Sequence, residues 1–415
     1  MRSAAAVRVS LALATGALLG CSAADASRSG SPYLFVWSGP HGPPGPHPPA
    51  PANDFVAVLD AEPTSPQYAR VLASRDVGVA GVMAHHTEYT LPARPVFAND
   101  YMTGRVFLLD LSEPMAPRVG RRIDSIPGYR RPHSFARLAN GHVLATLQFG
   151  NGSRPGDPGG LAEFDADGRL LRTASAADPA FPGARIRSYG LAVLPAIDRV
   201  ITTSSPMDGE RTADVVQLWR LSDLHLLRTM PTPGIAGDSV EREPFEVRAL
   251  PDGHSAFLNT YECGFYYLSR LDTDNPGMEL VHALRSPRRA GCSVPVEVSG
   301  YWIMPVAYDH SVVTLDIHDP RHPREVSVLR SDATVLPHWA AKDPRGDRIA
   351  VVGQDDGEAR VLVAQLDRAT GRLTWDTRFR DHWSARLGVG FTNRSWPHGD
   401  INNAMPHAAL FGPAQ

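Results

Sequence analysis

The sequence predicts an all-β fold, a seven-bladed β-propeller closed by strands from both termini, on three observations. The first is a recurring phrase in which a marker residue, usually after proline, precedes a short run, a turn and an apolar strand. It reads Pro132-His133-Ser134-Phe135 before Asn140-Gly141, Pro244-Phe245-Glu246-Val247 before Asp252-Gly253, and Pro337-His338-Trp339-Ala340 before Arg345-Gly346. Weaker copies carry Tyr189, Val296, His407 and, at the start, His85. The second is spacing: the markers His85, His133, Tyr189, Phe245, Val296, His338 and His407 lie 48, 56, 56, 51, 42 and 69 residues apart. Self-similarity at that period is the signature of propeller blades. The third is that the apolar runs are short and split by Gly, Pro, Asp and Asn, with no sustained helical periodicity.

Each interval holds four strand-like pieces, the strand count of a blade. Blade 1 is read from 88–91, 95–98, 105–110 and 117–120, and blade 2 from 133–138, 143–148, 160–165 and 170–172. Blade 3 uses 190–194, 199–202, 215–219 and 225–227, and blade 4 uses 245–250, 256–259, 265–268 and 279–281. Blade 5 takes 296–298, 301–304, 312–317 and 325–329, and blade 6 takes 338–340, 349–352, 360–364 and 373–375. Blade 7 is shared between the ends: 407–411 gives its innermost strand, and 33–37, 55–60 and 70–73 give the outer ones. Closing the ring in this way removes the exposed edges of an open sheet.

The chain then divides into a leader (1–21), a Pro/Gly-rich segment (22–53) and the propeller (54–415), with an insertion at 376–405 between the last blades. Its 415 residues are 43% apolar, enough for one large closed unit, and the net charge of -3 without a basic block argues against nucleic acid as a partner. Lys342 is the sole lysine, which excludes a phosphate-binding Gly-x-x-x-x-Gly-Lys loop. Residues 1–20 carry Arg2 and Arg8 ahead of an apolar run, and Leu18-Leu19-Gly20-Cys21 has the form of a bacterial lipobox, so Cys21 is the expected lipidation site. An ordinary signal peptide cut near Ala23-Ala24 is the alternative. Both readings place the mature protein outside the cytoplasm, in the periplasm, with membrane contact only through the lipid. Cys263 and Cys292 are then left, either as a disulfide or as two buried thiols.

Matching positions on the innermost strands of a propeller converge on one axis. Four of the seven markers are histidine: His85, His133, His338 and His407. Imidazoles arrayed about an axis are a donor set for Cu, Fe or Ni. His86 competes with His85, and the column favours His85. Because one step along a strand turns the side chain to the other face, Glu246 and Glu297 in the next column are expected to support the imidazoles from behind by accepting ring N–H bonds. His398, in the insertion, is expected at the channel mouth, and His310 in a turn. No catalytic residue is singled out, and Gly-x-Ser-x-Gly, His-Glu-x-x-His and Gly-x-Gly-x-x-Gly motifs are absent.

Several pieces resemble the selenium-binding protein and methanethiol oxidase family. They are Arg131-Pro132-His133-Ser134 with Val143-Leu144, Gly159-Gly160, Val216-Gln217-Leu218-Trp219, Pro244-Phe245-Glu246-Val247-Arg248 and the run 312–320. They occur in the family's order from about Phe55 onward. The resemblance implies a seven-bladed propeller with histidine-bound copper that oxidises methanethiol with O2 to formaldehyde, hydrogen sulfide and hydrogen peroxide. The histidines it carries over are His133, His85 or His86, and His338. Two features depart from it: Ala307-Tyr308-Asp309-His310 stands where the family has Trp-Leu-His-Gly-Asp, and the family's selenium-linked N-terminal cysteine has no counterpart.

The expectation is therefore an exported, metal-dependent oxidase acting on a small molecule with O2, with copper as the cofactor. Two alternatives stand beside it. One is an iron oxygenase with four histidines, like the carotenoid-cleaving propellers. The other is a lipid-anchored propeller that binds a ligand or protein partner without catalysis.

Overall fold

Runs rich in β-branched and aromatic residues, such as Asn53–Asp60 and Val215–Arg220, fit a pleated surface buried on both faces. In the computed structural model, which describes residues 30–40, 52–150, 157–207, 209–234, 243–284, 291–353, 358–399 and 401–412, such runs form seven antiparallel blades. Blade 1 is Ala84–Thr87, Val96–Asp100, Arg105–Asp110 and Arg118–Ile123, and blade 2 is Tyr129–Arg137, Val143–Gly150, Gly160–Phe164 and Leu170–Ser175. Blade 3 is Ser188–Leu194, Arg199–Ser204, Val215–Arg220 and Leu226–Pro231, and blade 4 is Pro244–Ala249, Ala256–Thr260, Gly264–Ser269 and Gly277–Ala283. Blade 5 is Val296–Val298, Tyr301–Val306, Ser311–Asp316 and Arg324–Arg330, and blade 6 is Pro337–Lys342, Arg348–Gly353, Arg360–Asp367 and Arg372–Trp375. Blade 7 takes Ala404–Gly412 innermost, then Tyr33–Pro40, Asn53–Asp60 and Val71–Ala80. The fold is an all-β, seven-bladed propeller closed by both ends of the chain. Among the described residues no helix is long and apolar enough to cross a membrane.

Two boundaries differ from the sequence reading. The ring includes Tyr33–Pro40, so it begins before residue 54. The innermost strand of blade 1 is Ala84–Thr87, ahead of 88–91, and it carries both His85 and His86. The leader, Cys21 and the proline-rich stretch 41–51 lie outside the described residues.

In six of the seven blades the register of the innermost strand shifts at the marker, so that two residues face one on the second strand. Such a bulge frees an amide from the ladder, and a buried amide needs a partner. In blades 1 to 3 the residue opposite the bulge supplies it. Asn99 Oδ1 accepts the His86 N–H (2.7 Å), Thr146 Oγ1 the Ser134 N–H (3.0 Å) and Thr203 Oγ1 the Gly190 N–H (2.7 Å). The same side chains donate onward to the next blade. Asn99 bonds the Pro132 carbonyl, Thr146 the Tyr189 carbonyl (2.7 Å) and Thr203 the Phe245 carbonyl (2.6 Å). Each therefore binds two blades together beside the axis.

Apolar faces pack blade on blade around this ring. The cluster at the closure joins Trp37, Phe55, Phe107, Trp339, Phe391 and Trp396, all buried. Burying one such side chain is worth roughly 1.5–3 kcal/mol. Closure is also polar. The Arg348 guanidinium, buried against Asp343 (2.6 Å), donates to the carbonyls of Ser31 and Ala61, while Ser31 Oγ donates to Asp343 (2.6 Å). Blade 6 thereby holds the N-terminal end of blade 7. Cys263 and Cys292 form a disulfide between blade 4 and the segment leading into blade 5. The insertion adds Val389–Gly390 to blade 6 and lays Trp396 on Phe55 of blade 7, ring centres 4.6 Å apart.

Two predictions follow from these contacts. Thr203→Val keeps the shape but leaves the Gly190 amide and the Phe245 carbonyl without their partner, so the urea midpoint should fall by the equivalent of about 1–3 kcal/mol; an unchanged midpoint would remove this residue from the blade-joining role. At Asp343, burial alone would raise the carboxyl, but bonds from Ser31, the Arg345 amide and Arg348 outweigh it and hold it below the ordinary carboxylate value. An acid so depressed stabilises the fold above its unfolded value of about 3.9, and that contribution is lost as pH falls through the folded value. The melting temperature should therefore drop on acidification below about pH 4. Asp343→Asn, destabilised by about 3–5 kcal/mol at neutral pH because Arg348 is left buried and unpaired, should show a shallower acid limb.

Candidate metal centre

The bulges decide what lines the channel. In blade 1 two successive residues oppose Asn99, so His85 and His86 both reach the axis, where their rings stack at 4.4 Å with planes 6° apart. A regular strand would have sent them to opposite faces. The choice expected between them is thus not made by the fold. His407 is the extra residue of the blade 7 bulge and His338 that of blade 6.

The five imidazoles form one buried group. The ligand atoms of His85, His86 and His407 lie within 4.8 Å of one another. His133 packs on His86 (ring centres 4.2 Å) and on His85 (4.8 Å), and His338 meets His407 edge-on at 4.7 Å. Burial holds His85, His86, His133 and His407 well below the usual imidazole value and His338 at about 3, so all five rings are neutral at pH 7. Each has a buried ring nitrogen with no hydrogen-bond partner: Nδ1 of His85 and His407, and Nε2 of His86, His133 and His338. Buried polar atoms are rarely left so. Neutral imidazoles with a bare ring nitrogen are what late first-row metals take as ligands, the Nδ1 atoms of His133 and His86 being beside Ser134 Oγ, and these residues fit such an ion.

A cavity of about 520 Å³ opens onto this group. Met83, Tyr189, Phe245 and Tyr261 wall it, and His85, His338 and His407 stand in its floor. The chain runs from Met83 at the cavity through His85 and His86 to Tyr89, so Tyr89 lies beyond the histidines. There it stacks on Trp339 (5.3 Å), with the Arg248 guanidinium 3.9 Å over its ring. The Tyr89 hydroxyl donates to Glu246 Oε2 (3.1 Å) and stands 3.3 Å from Ser134 Oγ, whose proton it can accept. Ser134 in turn stands 3.0 Å from His133 Nδ1 and 3.4 Å from His86 Nδ1. Burial lifts the Glu246 carboxyl above its ordinary value, against the pull of Arg248.

Glu246 therefore supports the histidines only through Tyr89 and Ser134, not by the direct bond expected. Glu297 does not support them: it accepts the Gly300 amide (2.9 Å) in the blade 5 hairpin. Its strand has no bulge, so period-two alternation keeps it out of the channel. His398 is not at the channel mouth. Its Nδ1 meets Ser74 Oγ (2.6 Å) and its ring lies 4.9 Å from Phe55, on the outer strands of blade 7. His310 caps a turn and bonds the Val335 carbonyl (3.0 Å). The sequence reading missed Tyr89, Ser134, Arg248 and Trp339. Ser134 and Trp339 directly follow histidine markers, and Arg248 shares a strand face with Glu246.

Taken together these features define a seven-bladed propeller with a histidine-lined axial channel. The comparisons place it more closely. Over 320 residues, 71% of this chain and 69% of the relative, it is 23% identical to a methanethiol oxidase of a Hyphomicrobium species. Its fold matches a hypothetical selenium-binding protein of Sulfolobus tokodaii with a TM-score of 0.74 at 13% identity, covering 92% of this chain and 93% of that one. It also matches a periplasmic gluconolactonase of Pseudomonas aeruginosa with a TM-score of 0.60 at 15% identity, covering 83% and 94%. No family model matches the chain. The chain resembles the selenium-binding protein and methanethiol oxidase family as a divergent relative.

Tyr89→Phe removes the hydroxyl that joins Glu246 to Ser134. The variant should fold but melt lower, with a loss of about 1–2 kcal/mol. A melting temperature equal to wild type would show that the hydroxyl joins nothing of consequence.

Proposed function

We propose that the chain is a metal-dependent oxidase of small thiols that uses O2, with copper as the metal. The observation that carries this is the set of five buried, neutral imidazoles, each with a bare ring nitrogen, three of which line a cavity. A shared cation would take up the bare nitrogens of His85, His86 and His407, whose ligand atoms lie within 4.8 Å of one another, with His133 packed against them, and nitrogen donors select copper, iron or zinc over magnesium or calcium. Copper and a thiol substrate are supported by the likeness to methanethiol oxidase. His85, His86, His133 and His407 would hold the ion, with His338 beside them at the cavity. When bound, copper would carry electrons between the thiol sulfur and O2.

The protein's own contribution is orientation and exclusion. Ser134 engages Nδ1 of His133, which leaves Nε2 to face the axis. The stack of Trp339, Tyr89 and Arg248 stands behind the histidines, and Tyr189, Phe245 and Tyr261 line the cavity in front of them. We place the protein in the periplasm, anchored through Cys21. The disulfide and the leader-like N-terminus support an oxidising compartment.

Metal analysis of protein purified from copper-supplemented cells tests the reading. About one copper per chain is expected, falling by at least tenfold in the double variant His86→Ala/His407→Ala. Copper-loaded wild type should consume O2 with methanethiol and release peroxide and sulfide. Iron in place of copper would move the protein to the oxygenase alternative. A metal-free wild type of undiminished stability would favour a non-catalytic binding propeller.

A further inference from the structure

Trp383 is the one tryptophan that the fold does not cover. Of the other six, Trp37, Trp219, Trp302, Trp339 and Trp396 are buried, and Trp375 is half-buried with its Nε1 on the Arg330 carbonyl (2.7 Å). Trp383 is 67% exposed. An indole left in water gives up the burial that so large an apolar ring could gain, so its exposure is more informative than that of a small apolar side chain. The ring is also held in place. It belongs to the turn 381–384, closed by the Ser384 amide on the Asp381 carbonyl (3.0 Å). Asp381, itself buried, accepts the Gly390 amide on Oδ2 (2.8 Å) and the Arg394 guanidinium on Oδ1. That guanidinium stands over two indoles, 5.2 Å from the Trp383 ring centre and 5.9 Å from that of Trp396.

Trp383 lines a pocket of about 630 Å³, a volume in the range of small-molecule sites. The pocket lies on the insertion, where Val389–Gly390 pairs with the third strand of blade 6. The charged residues that line it are balanced, Arg360 and Arg394 against Glu358 and Asp381. Arg360 gives its other N–H groups to the carbonyls of Leu387 and Gly388 (both 2.8 Å), and Arg394 Nε bonds the Gly390 carbonyl (2.9 Å). An ionic ligand would find each counter-charge already taken. Thr392, Asn393 and Ser395 line the pocket as well, exposed, and their side chains make no hydrogen bond to another described residue. Hydroxyl and carboxamide groups both donate and accept. The pocket therefore offers an aromatic ring, groups that donate and accept, and no net charge.

We propose that this pocket binds a neutral saccharide, one pyranose ring stacking on Trp383 while its hydroxyls bond Thr392, Asn393 and Ser395. A pyranose has the matching surfaces. Its C–H face is drawn to the negatively polarised face of the indole, and each hydroxyl on its rim both donates and accepts. The site is independent of the thiol-oxidase reading, since no residue of the pocket belongs to the histidine group and no metal takes part.

Calorimetry of the whole protein with cellotriose, maltotriose and chitotriose tests the site, with adenosine as a flat ring that would also stack. At least one trisaccharide should bind saturably, and equally well at about 0.05 M and about 0.5 M salt, because no ion pair forms. Trp383→Ala changes an exposed position and keeps the fold; it should weaken binding about tenfold. Trp383→Phe, which retains a ring, should recover most of that loss. Absence of saturable binding by all three sugars, or equal binding by Trp383→Ala, overturns the site. Binding of adenosine in preference to every sugar overturns it too. Self-association that Trp383→Ala abolishes, in a protein that binds no sugar, would assign the indole to a protein contact instead. The apo protein suffices throughout, so failure of the oxidase reading leaves each of these outcomes as it stands.

Discussion

A buried amide that leaves its ladder must find another acceptor, and this propeller is arranged around that demand. At the bulges of blades 1 to 3, one polar side chain on the second strand takes the freed N–H and donates in turn to a carbonyl of the next blade. A local irregularity thereby becomes a joint between blades. Where no side chain does this, backbone and indole groups do. Val294, just before blade 5, donates its amide to the His338 carbonyl and accepts from the Ala340 amide of blade 6, Trp339 Nε1 donates to the Ala409 carbonyl, and Trp37 Nε1 donates to the Asn99 carbonyl. Each bond is modest, but a missing one leaves a desolvated group behind, which costs more than the bond contributes.

The bulges also explain what could be read in advance. The marker column was legible because proline and a turn bracket it in most blades, and because blade period is a property of sequence spacing. Closure by the two ends followed from a single inner strand left at 407–411 with its partners at the start of the chain. The orientation of the side chains was not legible. Alternation predicts that His85 and His86 part company and that Glu246 turns away, yet both histidines face the axis and Glu246 reaches Tyr89. A bulge inserts one residue and resets the alternation. Its sign was present in Asn99, Thr146 and Thr203, polar residues within otherwise apolar second strands. His398 and Glu297 failed for a different reason. Their neighbours in space, Ser74 and Gly300, satisfy them locally, and proximity of that kind has no period.

Charge is kept away from the histidines in an ordered way. Among the described residues no carboxylate bonds an imidazole of the group directly; the buried Glu246 acts through a tyrosine and a serine and is matched by Arg248. The imidazoles are thus left neutral by desolvation and by one another, rather than held protonated by an acid. A neutral set preserves its lone pairs for an incoming cation, and burial makes any such cation the largest local charge.

Closure of the ring and assembly of the histidine group are one event. His85 comes from the first blade and His407 from the last strand, and their rings meet at 4.0 Å only when Ala404–Gly412 has paired with Tyr33–Pro40. The Arg348, Asp343 and Ser31 contacts hold that pairing from the side of blade 6. Any ion shared by His85 and His407 therefore binds the closed ring and not the open chain, and its binding free energy adds to the stability of closure. The same linkage runs in reverse: whatever loosens the joint between the two ends weakens the ion's hold, although the joint lies outside the channel and touches no histidine.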